Sequence, residues 1–335
     1  DLDNTLIFYI AGDNGTSAEG VFTGLYNEMG YFNGEPKGSD VDFMLNYYDK
    51  WGNPETYPHM SAGWAVAFDS PFTWTKQVAS NYGGTRQGLA VHWPQGIKAK
   101  GELRSQWHHV IDVVPTILEA AGLPEPKEVN GTPQRPIEGV SMLYSFDDAT
   151  AKDRHTTQYF EMFGNRGVYH DGWFAGTIHI KPWETGNAKT KFTEDTWELY
   201  HVAEDFSMST DLASEYPDKL AKLQDLFIEE SVKYKVLPLD DRRQELFDPK
   251  AAGRPDLMFG RTNLTLYEGM TGLLENDFIN IKNESFEIEA DIENNSRSAN
   301  GVLVSQGGRF GGWSLYVQNN KPTFVYNYLG LEQYK

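Results

Sequence analysis

An apolar run, Thr5-Leu-Ile-Phe-Tyr-Ile-Ala11, leads straight into Gly12-Asp13-Asn14-Gly15, and this junction constrains the fold more than any other stretch. Its β-branched, aromatic and aliphatic residues show no polar alternation. Such a run reads as a strand buried on both faces, the habit of a central parallel strand in an α/β sheet. Asp13 and Asn14 then project from its C-terminal end, the edge at which open α/β sheets bind ligands. Two adjacent hard oxygen donors suit one divalent cation of the oxygen-loving kind, Ca²⁺ or Mg²⁺. Asp, Asn and Gly also favour plain turns, so the motif alone leaves both readings open.

The 335 residues have room for two domains, and 39% hydrophobic with 14% aromatic residues is a globular composition. A formal net charge of -19 and the absence of any basic run argue against nucleic acid as a partner. An anionic substrate would need a local positive site, a metal or a Lys, working against the general field. With no cysteine, the chain has no disulfide, zinc-thiolate site or thiol nucleophile. No apolar stretch reaches the ~18 residues of a membrane span. The chain begins inside what reads as a core strand and stops at Tyr334-Lys335 without a natural ending, so truncation at both ends is expected.

Strand, loop, strand and helix signals give residues 1–150 the grammar of a doubly wound α/β sheet. The stretch 17–71, rich in Gly, Asn, Tyr and Trp, reads as loops and short helices whose aromatic residues either line a pocket or simply pack. Leu89 to Trp93 is a second strand, and 106–121 has helical spacing interrupted by Pro115. Residues 151–247 read as a small α+β subdomain. Its strands are expected at 158–162, 166–170, 173–180 and 197–200, with a hairpin at Asp171-Gly172 and an amphipathic helix over 217–234. A linker covers 248–271. Residues 272–335 read as a truncated, sandwich-like β module with strands at 286–290, 302–305, 313–317 and 324–328.

Lys76 lies in Pro71-Phe-Thr-Trp-Thr-Lys76-Gln-Val-Ala-Ser-Asn-Tyr-Gly83-Gly84-Thr85-Arg86. Flanking aromatics and a double glycine suit a partly buried ammonium aimed at an anion, with backbone allowed to approach closely. They equally suit a Lys snorkelling over aromatic surface. His92 reads as a core imidazole. His108 and His109 are adjacent, pointing about 100° apart on a helix, which suits one metal poorly. His155, His170, His179 and His201 have no companion at ligand spacing.

Taken in order, Gly12-Asp13-Asn14-Gly15, Pro71-Phe72 with Lys76, Gly83-Gly84-Thr85-Arg86, His92-Trp93-Pro94 and His109-Val-Ile-Asp-Val-Val-Pro115-Thr-Ile-Leu-Glu119 resemble the C-terminal half of a type I arylsulfatase of the alkaline phosphatase superfamily. Trp197-Glu-Leu-Tyr200, Asp211-Leu212 and Leu237-Pro-Leu-Asp-Asp241-Arg242 resemble the small C-terminal subdomain of those enzymes. The resemblance implies an alkaline-phosphatase-like mixed sheet flanked by helices. It implies Asp13 and Asn14 as ligands of an active-site Ca²⁺ and Lys76 as the catalytic, substrate-binding contact to sulfate. It also implies a sulfate monoester of a small molecule or saccharide as substrate, and a periplasmic or secreted location. The family's nucleophile is a formylglycine made within Cys/Ser-x-Pro-x-Arg, and neither form occurs here. The resemblance therefore implies a C-terminal fragment that is inactive alone. A phosphonate monoester or phosphodiester hydrolase of the same superfamily, or a glycan-binding protein on a sulfatase-like fold, are the alternatives.

Overall fold

The computed structural model describes residues 1–12, 14–184, 186, 188, 190–293 and 298–335. It is a mixed α/β structure that divides into two compact units, Asp1–Phe22 with Met60–Asp241, and Thr23–His59 with Arg242–Lys335.

In the first unit, β1 (Ile7–Ala11) pairs with β2 (Gly88–His92), and the pairing is antiparallel, from Ile7 opposite His92 to Ala11 opposite Gly88. The central, doubly buried parallel strand expected of the apolar run is not what these residues form: Tyr9 is 67% exposed, and Ile7, Ile10 and Leu89 are exposed as well. An unbroken apolar run records that both faces favour a cover, not which partner strand it pairs with. His92 is also exposed rather than a core imidazole. A short pair, β3 (Glu128–Val129) and β4 (Thr132–Pro133), follows.

The main sheet of this unit is antiparallel in the order β5 (Thr157–Met162), β6 (Asn165–His170), β7 (Trp173–Thr177), β8 (Trp197–Tyr200). Asp171 and Gly172 at the β6–β7 hairpin both have left-handed φ, +44° and +81°, as a type I′ turn requires. Alternation then sends Val168, Ala175 and Leu199 to one face and Tyr169, Phe174 and Tyr200 to the other. Both faces are buried. The first packs on Leu223 and Phe227 of the Pro217–Lys233 helix; the second packs on Tyr82, Met208, Phe72 and Trp107. That helix starts with Pro217 in its first turn, where a missing N–H costs nothing, and carries Asp218 there and Lys233 at its end, each favourable to the helix dipole.

Pro115 neither kinks nor breaks a helix. The α-helix runs only over Val113–Ala120, after a 3₁₀ turn at Val110–Asp112, so Pro115 falls in its first turn where N–H groups have no intrahelical acceptor. The helical spacing seen upstream, from Gln106, belongs to extended chain and the 3₁₀ turn.

In the second unit β9 (Gly301–Gly308), β10 (Gly311–Gln318), β11 (Lys321–Tyr328) and β12 (Glu332–Tyr334) form one antiparallel meander with a bulge between Leu315 and Tyr316. Three strands fall where expected. Residues 286–290 form no strand; instead Phe286 lies against Trp313 and Phe324 of the sheet, at ring centroid distances of 5.7 and 6.3 Å. Asn27 reaches the same unit's C-terminal part by donating from Nδ2 to the Leu329 carbonyl at 3.0 Å. Among the described residues no helix is long and apolar enough to cross a membrane.

Phe227 is 1% exposed on the helix side of the main sheet, whereas Ile228 beside it is half exposed. Phe227→Ala is expected to cost about 3–5 kcal/mol and Ile228→Ala under about 1 kcal/mol; chemical denaturation of the two variants measures the difference, and equal costs would refute this packing.

Candidate functional site

The loop after β1 is pressed onto the Lys76 segment. Gly12 and Gly15 take left-handed φ, +99° and +86°, and a Cβ on Gly15 would lie 2.0 Å from the Gly83 carbonyl oxygen and 2.8 Å from the Lys76 nitrogen. Only glycine fits there. One residue on, Thr16 donates its N–H (3.0 and 3.1 Å) and its hydroxyl (2.8 Å) to the Asp69 carboxylate. The Thr16 carbonyl in turn accepts the Lys76 N–H at 3.2 Å.

The Lys76 segment folds back on itself. A Cβ on Gly83 would meet the Trp74 and Thr73 carbonyl oxygens at 2.2 and 2.4 Å, and one on Gly84 the Val78 carbonyl oxygen at 2.4 Å. The double glycine thus lets the segment's own backbone pack closely on itself. Thr75, Val78, Ser80 and Asn81 are buried around the turn, while the Lys76 side chain stays about one third exposed. Its ammonium lies 3.7 Å from Glu19 Oε2. Glu19 also accepts from the Ser17 hydroxyl at 2.9 Å and from the Gln77 amide. Beside this clamp Trp74 stacks on Trp183 (5.8 Å, 9°), and Trp183 meets the ring of Phe22 at 6.1 Å. Arg86 rests its guanidinium over Phe206, Tyr82 and Phe72 at 4.0, 5.0 and 5.4 Å.

Asn14, exposed in a bend, directly precedes Gly15, so it and Lys76 flank one backbone contact. Asp13 lies outside the described residues. The amide oxygen of Asn14 is the hard donor type Ca²⁺ takes, but that ion takes about 6–8 oxygens. Among the described residues no group of three or more His, Asp or Glu is gathered to hold a metal. The described residues therefore do not complete a Ca²⁺ shell by themselves.

In the first unit, His155 and His179 have carboxylate partners that sequence spacing concealed. His155 Nδ1 lies 2.8 and 2.9 Å from the oxygens of Asp112, a residue with no exposed surface. The same carboxylate accepts the N–H of His109 (2.9 Å) and of Val140 (2.7 Å), and His108 Nδ1 stands 3.7 Å away, outside hydrogen-bond reach. Burial pushes the Asp112 carboxyl up, but His108, His155 and the two backbone donors outweigh it and hold it well below the usual carboxylate range. Burial and His155 lower His109 from its ordinary value. His179, buried, contacts Asp195 at 2.9 Å through Nδ1 and Asp241 at 3.4 Å through Nε2. These sets brace the fold by tying residues tens of positions apart.

No sequence motif singles out Asp69, Glu19, Gln77 or Asp112 as a partner in these contacts. Thr16 and Asp69 are 53 positions apart, and Asp112 and His155 are 43 apart, so no local pattern announces either pair.

The depressed Asp112 value has a definite sign. Its contribution to stability is complete above the unfolded value of about 3.9 and is lost as pH falls through the folded value. Asp112→Asn is expected to lower Tm most near neutral pH, with the deficit against wild type shrinking below about pH 4; a deficit constant from pH 7 to pH 3 would exclude the carboxylate charge as its origin.

Residues 1–123 match the family model described as Sulfatase. An uncharacterized sulfatase of Schizosaccharomyces pombe is 27% identical over 225 residues, 67% of this chain and 37% of that protein. The arylsulfatase of Klebsiella aerogenes is 26% identical over 140 residues, 42% of this chain and 27% of that one. The chain thus spans well under half the length of these relatives. Two solved structures overlap loosely. One, described under metabolism of multiple glycosaminoglycans by Bacteroides thetaiotaomicron, has 18% identity and a TM-score of 0.40 over 70% of this chain and 39% of that one. The other, Ps i-CgsB in complex with k-i-k-neocarrahexaose, has 16% identity and a TM-score of 0.45 over 78% and 44%. At these scores neither bears on the site.

Proposed function

We propose, for a chain whose residues 1–123 belong to the sulfatase family, that its site serves the hydrolysis of a sulfate monoester of the arylsulfatase kind within a larger enzyme. The reading is carried by Lys76: a partly exposed ammonium on a backbone that Gly15, Gly83 and Thr16 lock against the loop holding Asn14. A fixed ammonium neutralises sulfuryl oxygens as charge develops on them and needs no reorganisation to do so. Glu19 holds that ammonium in a defined direction, yet leaves it enough exposure to take a second anionic partner.

Asp13 and Asn14 are proposed as two oxygen ligands of a Ca²⁺ whose remaining ligands lie elsewhere in the complete enzyme. When bound, that ion would supply Lewis-acid neutralisation of the sulfuryl group. The sequence contains no Cys or Ser in an x-Pro-x-Arg setting, so the nucleophile too is assigned to the rest of the enzyme. The proposed substrate is a small-molecule or saccharide sulfate, and the proposed location is periplasmic or secreted.

In the complete enzyme Lys76→Ala is expected to reduce kcat/KM on an aryl sulfate by about 10²–10³, as steady-state kinetics would report; unchanged kcat/KM would remove Lys76 from the reaction. Asp13→Ala should lower bound calcium and activity together, and elemental analysis showing full calcium occupancy would exclude Asp13 as a ligand. The present chain alone is expected to turn over no aryl sulfate, so measurable hydrolysis by it, free of the complete enzyme, would overturn the assignment of the nucleophile.

A further inference from the structure

Asn165, the first residue of β6, has no part in the reading above, yet its side chain joins the Lys76 segment to the main sheet. It is 0% exposed. Its amide Nδ2 donates to the carbonyls of Gln77 and Ile180, each at 2.9 Å, and its Oδ1 accepts the N–H groups of His179 (2.8 Å) and Ile180 (3.1 Å). Both donors and the acceptor are in use, which a buried amide requires.

The carbonyl it grips belongs to the residue after Lys76. Gln77 has a left-handed φ of +75°, and Trp74 one of +68°. Neither is glycine, so each is strained, and such strain persists only where the surroundings over-determine the backbone. The restraints around Lys76 are visible: Lys76 N–H to Thr16 O, Gly83 N–H to Thr73 O, and Asn165 to Gln77 O. The last comes from a side chain, and it is anchored in the best-buried strand of the sheet, where Val168 and Tyr169 fix the register. His179, which donates to Asn165, is itself held by Asp195 and Asp241. Rotation of the Gln77 backbone would also withdraw the Gln77 amide from Glu19, and with it the orientation of the carboxylate that faces the Lys76 ammonium.

We propose that Asn165 is a positioning residue for Lys76, holding the ammonium where a sulfuryl or sulfate oxygen can reach it while touching no substrate itself. This rests on the sulfate-ester reading of the Lys76 site. Isosteric Asn165→Asp replaces the amide NH₂, which supplies both donors, with one oxygen that faces the Gln77 and Ile180 carbonyls, and Asn165→Ser, read identically, serves if the Asp variant does not fold.

The test has two arms. Hydrogen exchange of the present chain reads the geometry: the Lys76 amide should exchange at least about tenfold faster in the variant, while the Pro217–Lys233 helix keeps its protection. In the complete enzyme, KM for an aryl sulfate and the inhibition constant of inorganic sulfate should each rise about tenfold, with a smaller change in kcat. In a Lys76→Ala background the Asn165 substitution should change neither. Unaltered exchange at Lys76, or an equal kinetic loss with and without the Lys76 side chain, would overturn the proposal. If the complete wild-type enzyme turns over no sulfate ester, the functional reading falls, and the exchange arm still decides whether Asn165 holds the Lys76 backbone.

Discussion

Close contact between two backbones, permitted by the missing Cβ of Gly15, Gly83 and Gly84, is the constraint on which the site depends. A methyl at any of the three would fall within about two and a half ångströms of a carbonyl oxygen, and backbone cannot yield as a side-chain tip does. Because the chains touch, Thr16 can hand its carbonyl to Lys76 and its own donors to Asp69. A flexible Lys arm then starts from a fixed base. The entropy of ordering it is partly met by the fold before any anion arrives.

That base is seated on the β5–β8 sheet. Gly176 of β7 continues the logic, since a Cβ there would lie 2.7 Å from the Ser80 carbonyl oxygen, so the Lys76–Gly84 segment lies directly on the strand. The sheet can bear this because it is buried on both faces, by the Pro217–Lys233 helix and by the Tyr82, Tyr169 and Phe174 cluster. Asn165 stands at the junction, where the polar backbone of a strained turn must find partners away from water. The match of residues 1–123 to the Sulfatase family model thus meets a physical account of why Lys76 is where it is.

Much of this architecture was legible residue by residue. The hairpin at Asp171-Gly172, the strands 166–170 and 197–200, and the apolar stripe through Leu223 and Phe227 all rest on local periodicity and turn chemistry, which act within a few residues. The strand beginning at Trp173 ends at Thr177 instead of running to Ile180, because His179 and Ile180 give their N–H groups to Asn165 and not to a neighbouring strand. Phe286 carries a strand-like pattern but uses its ring to cover Trp313 and Phe324. Pro115 interrupts a helical pattern in the sequence, yet it sits in the first turn, where a helix tolerates it.

By itself, then, the sequence determined the mixed α/β character, the lack of thiol chemistry in this chain, and the candidacy of Asp13, Asn14 and Lys76, because composition, short motifs and their order need no folding to be read. Only the tertiary structure decided that β1 pairs antiparallel with β2, that Glu19 and Gln77 clamp the Lys76 side, and that Asp112 and Asn165 are internal anchors. Those outcomes join residues tens of positions apart. Hydrogen bonds and carboxylate partners at such separations leave no period in the chain, so they exist only once packing has brought them together.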